Sequence, residues 1–147
     1  MEAWGVDTQE LLQRAQANTI KLFPWECARM GDILARMDGQ DGDALGLDEF
    51  SQEVPMRVLS NSRRLYGASC MLYPGVLSGI AAEEGSNLYV IPCSLHELIL
   101  LPDDGEVPID TLKAMVYEVN RTCVVPEEVL SDSLYYYDRE KDEVVVL

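Results

Sequence analysis

The feature that most constrains this chain is the apolar density between Met56 and Pro102, MRVLSNSRRLYGASCMLYPGVLSGIAAEEGSNLYVIPCSLHELILLP. Its apolar runs are short and bounded by turn residues, as buried strands are. Met56 to Ser60 predicts a strand that stops at Asn61, and Ala68 to Tyr73 predicts a second. Between them lies a polar turn carrying Arg63-Arg64 and closed by Gly67, so the pair is expected to form a hairpin. Pro74 is placed to open a helix, PGVLSGIAAEE, and Gly85 to end it. Asn87 to Ile91 and Leu98 to Leu101 predict two more strands. In the PCSLHE segment between them, Ser94 and Glu97 match the S-x-x-E capping pattern, which predicts a single helical turn at a hairpin tip.

The flanks are simpler. Residues 7 to 18 predict a helix capped by Asp7 or Thr8, with Leu11, Leu12, Ala15 and Ile20 on one stripe and a break at Asn18-Thr19. Leu22, Phe23 and Trp25 are expected to form an aromatic knot, and PWECARMGDILARM to form a second helix. Residues 1–37 are thus expected to form a helical hairpin, 38–55 an acidic linker and 56–147 an α+β core, all within one domain. In the core's last third, Ile109 to Arg121 predicts an amphipathic helix with Leu112, Met115, Val116 and Val119 inward, and Asp110 is a candidate cap. Pro126-Glu127-Glu128 suits a short helical turn, and SLYYYD with EVVVL a terminal hairpin. There Tyr135 and Tyr137 fall on one face and Tyr136 on the other. Helices that flank strands without regular alternation predict an α+β fold with a mainly antiparallel sheet.

Charge is the loudest global signal: 26 acidic against 11 basic residues give a net −15 over 147 residues. A surface of this sign repels nucleic acid and anionic lipid, because each phosphate contact needs a Lys or Arg. Direct nucleic-acid or membrane binding is therefore disfavoured, and a basic protein surface is the expected partner. Excess acid also serves plain solubility. No apolar run reaches the roughly 18 residues of a membrane span. The acidic start MEAWGVDTQE has no signal-peptide pattern. The four cysteines, Cys27, Cys70, Cys93 and Cys123, form no CxxC pair, and the last three sit in apolar segments as buried free thiols do. A reducing cytoplasm without disulfides is expected, with no metal and no cofactor. The Asp38 and Asp41 starts of the Gly-rich acidic segment both fail the EF-hand rule: from Asp41, Leu45 falls at position 5 and Gln52 at position 12.

The ordered set RVLSN, YGASCMLYPGVL, LYVIPCSLHELILLPDDG, LKAMVYEVN and PEEVLSDSLYYYD, with the opening LLQRAQANTIKLFP, resembles a family of bacterial domains of unknown function. Its members carry a similar Leu-Thr-Asn strand end, a Gly-Ala-x-x-x-Leu-Tyr-Pro junction and a Pro-Ser-Ser-Ile-His-Glu hairpin. Cys93 and Ser60 depart from it, standing where Ser and Thr are usual. The resemblance is to the C-terminal half of proteins about twice as long, which leaves open an excised domain or a short free-standing relative. It implies fold and compartment and carries no activity with it.

Two sets of residues could carry function. Cys93, Ser94, His96 and Glu97 include the residue types of a nucleophile and its base. Side chains this close in sequence seldom converge, and a capped hairpin tip explains them as well. The second set is the carboxylates Asp38, Asp41, Asp43, Asp48, Glu49 and Glu53 in the linker, with Asp103, Asp104, Glu106, Asp138, Glu140, Asp142 and Glu143 in the last third. Asn61, Arg63 and Arg64 could form a small anion site or a solvated turn, and Tyr135 to Tyr137 a binding stripe. There is no GxSxG elbow, P-loop or GxGxxG. The leading expectation is a non-enzymatic acidic interaction module, in one form a nucleic-acid mimic that inhibits a nuclease such as a CRISPR or restriction effector. The alternatives are a small hydrolase or transferase using Cys93 or His96, or a structural module of a larger protein.

Overall fold

A computed structural model describes residues 5–37 and 55–147. Its elements are α1 (Thr8–Leu22), β1 (Trp25–Arg29), α2 (Met30–Met37), β2 (Arg57–Asn61), a 3-10 helix (Gly67–Leu72), α3 (Val76–Glu84), β3 (Leu88–Ile91), β4 (Leu98–Pro102), α4 (Ile109–Thr122), a 3-10 turn (Pro126–Glu128), β5 (Tyr135–Asp138) and β6 (Glu143–Val146). The six strands form one sheet in the order β1-β2-β4-β3-β5-β6. Every neighbouring pair is antiparallel. The expected α+β class and antiparallel sheet are both present.

Helices cover both faces of the sheet, which is why its centre is apolar without alternation: all of β3 and all of β4 are buried. Leu59, Leu88, Val90, Leu98, Leu100 and Tyr137 point to the 3-10 helix and α3, meeting Cys70, Val76, Leu77 and Ile80. Val58, Tyr89, Ile91, Ile99 and Leu101 point the other way, to Met30 of α2 and Leu112 and Val116 of α4. Each buried leucine contributes on the order of 2 kcal/mol. Tyr137 and Tyr136 divide between the two faces, as the period-2 pattern predicts. Gly85 closes α3 at φ 72°, a left-handed conformation that costs glycine nothing.

Four expectations are corrected. The first is the N-terminal helical hairpin, where a strand interrupts the pair. Trp25–Arg29 is β1, paired residue for residue from Trp25↔Asn61 to Arg29↔Arg57. The apolar spacing that predicts a helix begins at Met30 and is met by α2, whereas the residues before it find in β2 a whole ladder of backbone partners and extend. The second is the break at Asn18-Thr19. Helix α1 continues to Leu22, and the Phe23 N–H donates to the Thr19 carbonyl at 2.8 Å. Its Asp7 cap is as expected, with Oδ1 accepting from the Glu10 N–H at 2.7 Å.

The third is the ASCMLY strand. It is a 3-10 helix, and Leu72 lies 78% exposed. The fourth is the aromatic knot: Leu22 and Trp25 are exposed and Phe23 is half-buried beneath the Arg63 guanidinium. Among smaller points, α4 starts after Pro108 with Asp110 in its first turn and no side-chain cap. Cys123, expected inside, is exposed.

Candidate functional site

The two ends of the sheet differ in chemistry. At one end, the end of β2, the β3–β4 hairpin tip and the start of the 3-10 helix lock together. The Asn61 side chain is 2% exposed and behaves as an extra piece of backbone: Oδ1 accepts from the Arg63 and Leu65 N–H groups at 3.0 and 3.2 Å, and Nδ2 donates to the Leu65 carbonyl at 2.7 Å. The Ser60 hydroxyl donates to the His96 carbonyl at 2.7 Å. Gly67 sits in the angle between them. A Cβ there would lie 2.1 Å from Ser60 Oγ, 2.4 Å from the His96 carbonyl oxygen and 2.8 Å from the Asn61 nitrogen. No side chain fits, so the sequence must have glycine at this point.

His96 receives the last strand of this knot. Its Nδ1 accepts from the Tyr66 N–H at 3.0 Å. That bond assigns the ring proton to Nε2, which faces Glu128 Oε1 at 3.4 Å. The lone pair a general base would use is already engaged. Ser94 Oγ accepts from the His96 N–H at 3.0 Å, and the Ser94 N–H donates to the Glu97 carbonyl at 3.2 Å. The tip is therefore a serine turn closed by backbone, without the predicted helical turn or a returned Glu97 bond. Glu97 instead approaches Arg64 at 3.9 Å. The Leu95 N–H donates to the Glu128 carbonyl at 2.8 Å and ties the tip to the Pro126–Glu128 turn.

Beneath the tip lies a cavity of about 420 Å³. Its walls are Met30, Ile33, Val58, Ile99, Val119 and Val124, and Cys93, Ser94 and Cys123 also line it. Arg64, His96, Glu97 and Glu128 complete its lining, and all four side chains are partly exposed. Cys93 is 9% exposed, and burial, reinforced by the negative Glu97, pushes its thiol up to about 12. It is a protonated core thiol, the opposite of the lowered, accessible thiol that nucleophilic chemistry needs. Of the two readings of Asn61, Arg63 and Arg64, the anion site does not assemble, because the Asn61 amide is consumed within its own turn and Arg63 lies over Phe23.

At the opposite end the carboxylates of the last third come together. Pro102 pairs with Leu88 and Leu88 with Tyr137, so the loop after β4 and the tip of the β5–β6 hairpin emerge side by side. A hydrogen-bonded chain joins them. The Tyr136 hydroxyl donates to Asp103 Oδ2 at 2.7 Å and accepts from Asn87 Nδ2 at 2.9 Å, while Asn87 Oδ1 accepts from the Arg139 N–H at 3.0 Å. Within the tip, Asp142 Oδ1 accepts from the Tyr137 hydroxyl at 2.6 Å. Asp138 is held below the usual carboxylate range, chiefly by its bond from Lys141 and then by the Lys141 and Glu140 N–H groups. Seven carboxylates, Asp103, Asp104, Glu106, Asp138, Glu140, Asp142 and Glu143, thus share one end of the sheet with Arg139 and Lys141 of the hairpin tip, while Arg29 and Arg57 stand at the same end on β1 and β2, Arg57 paired with Glu83 and Glu84. Asp38, Asp41, Asp43, Asp48, Glu49 and Glu53 lie outside the described residues.

Sequence reasoning missed Tyr66, Gly67 and Glu128 as parts of the His96 environment. The signal that could have found the first two was the Asn61-to-Gly67 interval, an asparagine and a glycine framing a tight polar turn. Among the described residues no group of three or more potential metal ligands comes together, and no helix is long and apolar enough to cross a membrane. No curated protein and no solved structure matches the chain. The model of a family of unknown function, DUF5688, matches residues 1–139, and the chain belongs to that family.

Proposed function

We propose that this chain is a non-enzymatic, acidic protein-interaction module that binds a basic protein surface. The observation that carries the reading is the Asn87–Tyr136–Asp103 chain, which holds two acidic segments, 103–106 and 138–143, at one end of the sheet. Carboxylates fixed to strand ends keep their spacing, so they meet a cationic surface with little ordering cost. The net charge of −15 steers such a partner from a distance. In its sharper form the acidic end stands in for a nucleic-acid backbone and occupies the channel of a nuclease, such as a CRISPR or restriction effector, in the cytoplasm. A hydrolase or transferase at Cys93 and His96 is the weaker reading, because the thiol is buried and protonated and the imidazole lone pair is engaged.

The test is capture of partners from host cells on the full chain, eluted with a salt series, beside a variant carrying D104K, E106K, E140K and E143K. A basic protein released as salt rises, absent from the variant and displaced by duplex DNA or RNA, is the expected result. Retention that is indifferent to salt and to the four substitutions would end the reading.

A further inference from the structure

From the cavity under the hairpin tip we infer a binding site for a small planar ligand whose edge carries an N–H donor beside a C=O acceptor, as in a lactam or a pyrimidine-type ring. The site lies at the end of the sheet opposite the acidic loops and is independent of them. Three observations combine. The first is volume: about 420 Å³ is within the range of small-molecule sites and accommodates one or two rings. The second is wall chemistry. Met30, Val58, Ile99 and Val119 are flat or branched apolar surfaces suited to the two faces of a ring, and they recognise nothing polar.

The third is a polar pair in the lining, His96 and Glu128. The Tyr66 N–H bond to Nδ1 fixes His96 as a donor through Nε2. Glu128 Oε1, an acceptor, stands 3.4 Å from that nitrogen, too long for a strong bond between the two. A fixed donor and an acceptor 3.4 Å apart are close enough for one amide edge to bridge them, its C=O accepting from Nε2–H while its N–H donates to Glu128. A carboxylate ligand would meet Glu97 and Glu128 together, with Arg64 the one cation among the described residues of the lining and already beside Glu97 at 3.9 Å, and a simple alkylammonium would leave the His96 donor unanswered. The backbone of Glu128 is itself bound to Leu95, so the acceptor does not drift from the tip.

His96 is the sole histidine of the chain, so its imidazole nitrogens give one set of NMR signals. The experiment titrates the full-length ¹⁵N-labelled protein with 2-pyridone and, in parallel, with 1-methyl-2-pyridone, which keeps the ring and the carbonyl but lacks the N–H. Saturable movement of the His96 Nε2 signal by 2-pyridone is expected, with the methylated ring bound at least about tenfold more weakly. E128L removes the acceptor from a side chain that is 45% exposed, so the fold persists, and it should weaken 2-pyridone by a similar factor without altering the free His96 tautomer. An unmoved imidazole at the solubility limit of 2-pyridone would overturn the site. Equal binding of the two rings, or unchanged binding by E128L, would overturn the donor–acceptor assignment.

Discussion

Tyr66 and His96 hold one another in place: the Tyr66 N–H donates to His96 Nδ1 at 3.0 Å while Tyr66 stands at φ 52° with its side chain exposed. A left-handed tyrosine costs on the order of 1 kcal/mol, and its ring offsets little of that, mostly exposed with the tilted His96 ring 5.5 Å away between centroids. Arg64, two residues earlier, is left-handed as well. What holds the turn is the set of bonds to Asn61 and His96, so the residues that look most like chemistry in the sequence act as a structural clasp. The Leu-Ser-Asn end, the Gly-Ala junction and the Ser-Leu-His-Glu tip, separate along the chain, are one contact in space.

That clasp makes Gly67, itself buried, a sensitive position. Gly67→Ala is expected to lose about 3 kcal/mol, because its methyl would overlap a hydroxyl and two backbone atoms at once. Urea unfolding measures it. A loss below about 0.5 kcal/mol, the ordinary range of surface substitutions, would mean the turn moves aside freely.

Leu72 and Leu100 separate the strand expectation from the observed 3-10 helix. Leu72→Asp should change stability by no more than about 0.5 kcal/mol, since the side chain is 78% exposed. Leu100→Asp, in the middle of β4 and fully buried, should abolish folding or cost several kcal/mol. Thermal melts of the pair decide it; equal damage from both would return 68–73 to the sheet.

Thiol labelling should rank the cysteines by exposure. Under native conditions a disulfide reagent should modify exposed Cys123 first and Cys93, whose thiol is held protonated, far more slowly. Mass spectrometry of the quenched peptides reads the order. Rapid native labelling of Cys93 would restore it as a nucleophile.

Alkali should unfold the protein cooperatively. The Cys93 thiol rises from 9.0 to about 12, and the Tyr89 and Tyr137 hydroxyls from 10.0 to about 12, each chiefly through burial. All three are neutral in the folded state and ionise more readily once unfolded. Their contribution is therefore complete below about pH 9 and is lost as pH climbs toward about 12. Urea midpoints should hold steady up to about pH 9 and then fall, and Cys93→Val should shallow the fall. A midpoint that rises with alkali would contradict the sign.

The sheet's centre and its C-terminal hairpin were legible because their signals are local. NLYVI and LILLP are short apolar runs with turns on either side, and Tyr135 to Tyr137 alternate as a strand should. Trp25–Arg29 was not legible, because its strand character comes from a ladder to Arg57–Asn61, far along the chain, while it runs without a turn residue into the helical pattern of Met30–Met37. The ASCMLY segment fails for a related reason. Its composition suits a strand, but Gly67 has no room to move off Ser60 and His96, and the chain must coil tightly to leave that contact. In the site, Cys93, Ser94, His96 and Glu97 were visible as a group, and what each does was set by Tyr66, Ser60 and Glu128, partners that spacing does not reveal.

The separation of β1 from β2 along the chain has a kinetic consequence. The β3–β4 hairpin closes a short loop and buries both of its faces, and β5–β6 closes a shorter one, so the loop-closure entropy for these pairs is small. The β1–β2 ladder must close a much longer loop for a single edge of hydrogen bonds. Substitutions in β4 should slow folding, whereas those in β1 should leave the folding rate alone and hasten unfolding. In the folded protein β1 is then the strand that peels first: its amides exchange with solvent through a partial opening, while those of β3 and β4 wait for the whole molecule to unfold.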